Sequence, residues 1–257
     1  MGQAIAVVSQ KGGVGKTSTA VNLGACLSAI QRKVLLIELD PQGGLAKCFG
    51  VQSSDEQPGL LDVIRDGVKP TDVIYRVNPR LPRLDLVPAN VRSTSDDAQF
   101  VSLLGRRPDV LRGFLQRFKL TYDYIFIDTP SRLDSPTSAA LDAADSYLLP
   151  IQCEYAAMGA VGNVLRAALA AKRKGNAKLH IFGCLLTMAD RRANFAIKVV
   201  REVREYLKAH VFRTIIPRDP RLAEVPYRQA PVVVFDIEAP GAKAYIRLAR
   251  EILGSGI

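Results

Sequence analysis

Within ten residues, Ser9-Gln10-Lys11-Gly12-Gly13-Val14-Gly15-Lys16-Thr17-Ser18 sets two lysines and three glycines ahead of a Thr-Ser pair. That combination suits an anion. Glycines at 12, 13 and 15 let the backbone come close to a phosphate with its N–H groups turned inward, and a helix starting there adds the positive end of its dipole. Lys16 is then in place to reach β- and γ-phosphates, and the Thr17 hydroxyl to ligate Mg²⁺. The candidate nucleotide contacts are therefore Lys11, Gly12, Gly13, Val14, Gly15, Lys16, Thr17 and Ser18. A Gly-rich turn with incidental lysines is the plainer reading, and the flanks argue against it. Ala4-Ile5-Ala6-Val7-Val8 reads as a strand entering the loop, and Ala20, Leu23, Gly24 and Leu27 recur at helical spacing after it.

Two carboxylates at strand ends extend the chemistry. Lys33-Val34-Leu35-Leu36-Ile37-Glu38-Leu39 reads as a buried parallel strand beside the first, ending at Asp40-Pro41-Gln42-Gly43-Gly44. A carboxylate there faces the ligand crevice of an open α/β sheet, so Asp40 is a candidate for orienting a water at the γ-phosphate. Asp-Pro and Gly-Gly are also strong turn formers, and a plain turn stays open as the alternative. The second is Asp128, closing Tyr122-Asp123-Tyr124-Ile125-Phe126-Ile127-Asp128-Thr129-Pro130. It is placed to hold a water on Mg²⁺, with a following loop that can respond to the γ-phosphate. A core strand followed by a turn is the alternative there.

The elements that must position these groups alternate along the chain. Short helical spacing at 60–64 precedes a strand at 84–88, and the apolar residues at 111, 114, 115 and 118 predict one amphipathic helix from 103 to 120. Strands are expected at 146–151, 179–188 and 212–216, and helices at 154–175, 194–210 and from 240 onward. This order predicts an α/β fold, a doubly wound and mostly parallel sheet flanked by helices, with residues 1–257 as one domain.

Composition narrows the partners. The 257 residues are 48% hydrophobic and carry 35 Lys and Arg against 25 Asp and Glu, a formal charge of +10. That surplus points to a polyanion, nucleic acid or an acidic membrane surface. Cys26, Cys48, Cys153 and Cys184 are widely spaced and suggest neither zinc site nor disulfide framework. No signal-peptide pattern and no run of 18 apolar residues is present, so a cytoplasmic protein without a membrane span is expected.

The loop Lys-Gly-Gly-Val-Gly-Lys-Thr departs from the common phosphate loop, with Gln10 where a glycine is usual and a second lysine at 11. It is the deviant Walker A signature and resembles that of the ParA/MinD group of ATPases. Further landmarks at Asp40, Asp128, Leu186-Thr187-Met188, Pro217-Arg218 and the last helix extend the resemblance, to ParA/Soj-type partition ATPases, from Ile5 to about Leu253. The resemblance implies ATP and Mg²⁺ as cofactors and an ATP-sandwich homodimer in which Lys11 reaches across to the partner's nucleotide. It implies catalytic roles for Lys11, Lys16, Asp40 and Asp128, Thr17 on the metal, and Asp40 and Asp128 acting on it through water. It places Met188, Pro217, Arg218 and Asp219 near the adenine. It also implies non-specific binding of double-stranded DNA on the nucleoid, and release when a ParB-type centromere-binding partner stimulates hydrolysis.

Arg192 and Arg221 match positions linked to DNA binding in such proteins, and Lys198 and Arg201 stand on the basic helix between them. For each, a surface ion pair is the alternative. Several residues depart from the family pattern: Glu38 for a frequent aspartate, Gly44 for asparagine, Ser131 for proline, with Arg132 and Asp134 nearby, and Asp219 in the adenine segment. No DNA-reading helix-turn-helix extension is expected at the start. A MinD-like membrane ATPase would need a basic amphipathic helix after the domain, and an iron–sulfur reductase would need cluster-ligating cysteines. A ParA-like positioner of a protein cargo shares all the chemistry and stays open, since its cargo adaptor is not readable from one chain.

Overall fold

The computed structural model describes residues 2–54, 56–154, 157–189 and 194–254, the side chains of 194–196 excepted. In chain order the first half runs β1 (Gln3–Val7), α1 (Lys16–Ala29), β2 (Val34–Glu38), α2 (Gly44–Lys47), α3 (Leu60–Asp66), β3 (Tyr75–Arg76), β4 (Leu84–Val87), α4 (Thr94–Arg106), α5 (Pro108–Phe118) and β5 (Tyr124–Asp128). The second half runs α6 (Ser135–Ala143), β6 (Ser146–Gln152), α7 (Ala157–Lys174), β7 (His180–Ala189), α8 (Asn194–Leu207), a 3-10 turn at Lys208–His210, and β8 (Val211–Pro217). Three short helices follow, α9 (Pro220–Ala223), α10 (Val225–Arg228) and α11 (Val232–Phe235), before the long α12 (Pro240–Gly254).

The strands form one sheet in the order β3-β4-β2-β5-β1-β6-β7-β8. Among the described residues, only the β3–β4 pair at one edge is antiparallel; the remaining pairs are parallel. This is the doubly wound, mostly parallel sheet expected. One placement differs: β2 does not lie beside β1, because β5 stands between them, pairing Val7 with Asp128 on one side and Glu38 with Asp128 on the other. Parallel neighbours are joined by crossovers, so lateral order is set by packing and not by chain order.

Side chains alternate across the sheet and build a core on each face. Ala4, Ala6, Val8, Leu35 and Ile37 face a core closed by α3 to α8, while Ile5, Val7, Val34 and Leu36 face one closed by α1, α2, α11 and α12. Helix α1 is buried nearly all round, between the sheet and α12, which explains its weak amphipathic pattern. Gly24 lets it approach: a methyl there would stand 2.9 Å from Leu36 Cδ2.

The single helix expected from 103 to 120 is two helices. Arg107 leaves helical geometry at φ −130°, and Pro108 opens α5 at its first turn, where its missing N–H costs nothing. The periodicity runs across the break because Phe100 and Leu104 of α4 and Leu111, Phe114 and Leu115 of α5 enter the same core.

Candidate functional site

The switch in crossover direction falls at β1, so the C-terminal ends of β1, β5 and β2 open into one crevice. The loop after β1 enters it. Gly15 adopts φ +91°, a conformation a side chain would strain, and turns the chain directly into α1. Lys16 is buried at the first helical position, and its ammonium donates to Ser131 Oγ at 2.7 Å. Burial lowers the Lys16 pKa, opposed by the charges of Asp128 and Asp40. Those two carboxylates thus stand close enough to be felt electrostatically at the Lys16 ammonium.

Asp128 is fully buried at the end of β5. Its Oδ2 accepts a hydrogen bond from Thr17 Oγ1 at 2.7 Å, while Oδ1 has no hydrogen-bond partner among the described residues. A buried orphan oxygen next to a hydroxyl is an arrangement a hydrated cation would satisfy. No three His, Cys, Asp or Glu side chains converge on a metal position among the described residues. A divalent ion held here would take the Thr17 hydroxyl directly, Asp128 through water, and its other ligands from phosphate, and would neutralise charge there.

Asp40 sits half-buried just beyond β2, its Oδ1 accepting the Gln42 N–H at 3.1 Å. The turn expected here is formed, and it sets the Asp40 carboxylate at the end of β2, on the crevice side. The Leu39 N–H donates to the Asp128 carbonyl at 2.8 Å, fixing the ends of β2 and β5 together. Glu38, singled out only as a departure from the family pattern, has a structural task. Its buried carboxylate accepts from the N–H groups of Leu45 (2.7 Å), Ala46 (3.0 Å) and Ala89 (3.1 Å), capping α2 and tying it to the loop after β4. Gly44 packs beside Thr17, where an added Cβ would make ordinary van der Waals contact at 3.8 Å from the Thr17 hydroxyl.

Lys11 lies outside the cradle, paired with Glu154 beyond β6, both side chains partly exposed. Gln10 continues outward to Asn163 and Arg166 on α7. Neither contact was legible, because the partners are more than a hundred residues away in the chain. Thr187 was also missed as a support: its hydroxyl donates to the Val14 carbonyl at 2.9 Å, joining β7 to the loop.

The adenine candidates meet at the ends of β7 and β8. Met188 takes φ +51°, Ala189 pairs with Pro217, and the Arg218 N–H donates to the Ala189 carbonyl. Asp219 faces backbone instead, accepting from Arg221 N at 3.0 Å and Gly241 N at 2.7 Å, an acceptor-only role that suits a carboxylate better than an amide. Of the DNA candidates, Arg192 lies outside the described residues. Lys198 and Arg201 are exposed on α8, Arg201 pairing with Glu205 at 2.8 Å. Arg221 on α9 pairs with Glu224 and Asp236. Exposed pairs of this kind are screened by solvent and contribute little to stability.

The family model for the AAA domain matches residues 2–181. The sporulation initiation inhibitor protein Soj of Bacillus subtilis is 38% identical over 256 residues, covering 100% of both chains. The chromosome partitioning protein ParA of Myxococcus xanthus is 38% identical over 259 residues, covering 98% of this chain and 88% of its own. Among solved structures, cobyrinic acid a,c-diamide synthase from Mycobacterium smegmatis with bound ATP analog and magnesium superposes with a TM-score of 0.83 at 29% identity. That match covers 100% of this chain and 98% of the other.

Proposed function

This chain belongs to the ParA/Soj family of partitioning ATPases, and from that membership we propose that it moves or positions DNA through an ATP-dependent homodimer. It is an ATPase that uses ATP and Mg²⁺. Residues 1–257 act as one ATPase domain in the cytoplasm, on the nucleoid. Lys16 holds the β- and γ-phosphates, Thr17 ligates the metal, Asp40 orients the attacking water, and Met188, Pro217 and Arg218 border the base. In the ATP state two chains close on their nucleotides and bind double-stranded DNA without sequence preference. A ParB-type partner stimulates hydrolysis and releases them.

The observation that carries this reading is the division of labour between two lysines of one loop. Lys16 is buried in the cradle, whereas Lys11 is turned out to a partly exposed rim, where its ion pair with Glu154 would exchange for a second chain's nucleotide. Joining two weakly cationic surfaces makes one bivalent DNA site, so DNA affinity follows the ATP-bound dimer.

The test is retention on duplex DNA of unrelated sequence with ATP, with ADP and without nucleotide, alongside turnover with and without DNA. Retention that requires ATP and is lost in Lys11→Ala supports the reading. Retention indifferent to nucleotide would sink it.

A further inference from the structure

We propose that the Ser131 hydroxyl recognises the terminal phosphate of the nucleotide and lets this chain distinguish a triphosphate from a diphosphate. The proposal rests on the nucleotide site described above and goes beyond it to a residue that the family pattern does not supply, since proline is usual there.

The geometry places this hydroxyl across the cradle from the loop. Ser131 Oγ is 2.7 Å from the Lys16 ammonium, and a Cβ at Gly12 would be 3.7 Å from the same oxygen. Lys16 reaches the β- and γ-phosphates, so a group one hydrogen bond from its ammonium is within reach of the same oxygens. The loop N–H groups enclose the inner phosphates, whereas Ser131 approaches from the β5 side, next to Asp128, where the terminal phosphate and its metal belong.

The hydrogen-bond inventory gives the direction. An ammonium only donates, so Ser131 accepts from Lys16 and keeps its own O–H to offer. No described residue receives it in the hydrogen bonds of this structure, and a phosphate oxygen is the acceptor such a site is built to meet. The segment carrying it is pinned on both sides: Thr129 donates to the Val7 carbonyl at 2.8 Å and Thr137 to the Arg132 carbonyl at 2.6 Å. Ser131 is thereby held over the cradle by β1 and α6. Without a third phosphate, Lys16 and Ser131 engage each other; with one, both side chains turn to it from a loop held in place.

The experiment is fluorescence titration of the full chain with Mg²⁺ and either ADP or a non-hydrolysable ATP analogue, for the unmodified protein, Ser131→Ala and Ser131→Thr. Ser131→Ala is expected to weaken the triphosphate roughly ten- to a hundredfold while ADP stays within about twofold, and Ser131→Thr to keep both affinities. Equal loss of both nucleotides, or loss of neither, overturns the proposal. Should Ser131→Ala melt early, Ser131→Cys, of similar volume and a weak donor, carries the same ratio. Lys16→Ala separates the two levels: if it leaves both affinities intact, the nucleotide site itself is wrong.

Discussion

Burial pushes the Asp128 carboxyl from its ordinary 3.8 up to about 7, desolvation outweighing the Thr17 hydrogen bond and the Lys16 charge. A group whose folded pKa is raised stabilises the fold when protonated, and that contribution is lost as pH rises through the folded value. Below about pH 4 both states hold the proton; between about 4 and 7 only the folded chain does, and stability falls by about 1.4 kcal/mol per unit. Nucleotide-free protein is therefore expected to melt lower at pH 8 than at pH 5, and Asp128→Asn to flatten the profile, as read by thermal melts across that range. Glu38, also raised by burial, adds a slope of the same sign, so the variant and not the parent curve isolates Asp128. A parent profile that rises over this range would refute the assignment. The aspartate itself was legible at the end of an apolar strand. Its orphan oxygen was not, because burial of one atom is a property of the packed crevice.

At the scale of the element, α1 couples the cradle to the core. Its Gly24 stands against β2 and β4, where an added Cβ would lie 2.9 Å from Leu36 and 3.5 Å from Leu84 and Val34. Gly24→Ala gains about 1 kcal/mol of helix propensity against about 1–3 kcal/mol of overpacking, so the net change runs from nil to about 2 kcal/mol of destabilisation. Gly24→Val lacks most of that gain and adds two methyl groups to the clash. It is expected to lower the melting temperature by several degrees, at roughly 2–4 °C per kcal/mol for a chain of this size, and to weaken ATP binding by shifting Lys16. Unchanged melting would show that β2 yields freely. The element pattern was largely legible from hydrophobic period and strand-end signals. The break between α4 and α5 was hidden from the hydrophobic period, since both helices bury one continuous stripe, and Pro108 was the local signal that marked it.

For the whole molecule, the surplus of ten positive charges bears on partners and not on fold. Sequence-neutral DNA binding driven by it should release counterions, so affinity is expected to fall by orders of magnitude between 50 and 200 mM salt for six or more phosphate contacts. Replacing Arg201 or Arg221 by glutamate is expected to weaken binding and flatten the log–log salt slope by about 0.9 per lost contact; an unaltered slope removes that arginine from the interface. Among the described residues no helix is long and apolar enough to cross a membrane. The sequence by itself determined the Gly- and Lys-rich loop between a strand and a helix, and the alternating α/β order. Both are local: a strand, glycines, Lys16 and Thr17 lie within a few residues, and each element's period is written in its own stretch. Tertiary structure alone decided which strand lies next to which, that Lys11 rests on Glu154, and that Lys16 meets Ser131 across 115 residues of chain. Parallel strands are joined by crossovers, so their neighbours, and the side chains that meet at their ends, are fixed by how the two cores close and not by sequence distance.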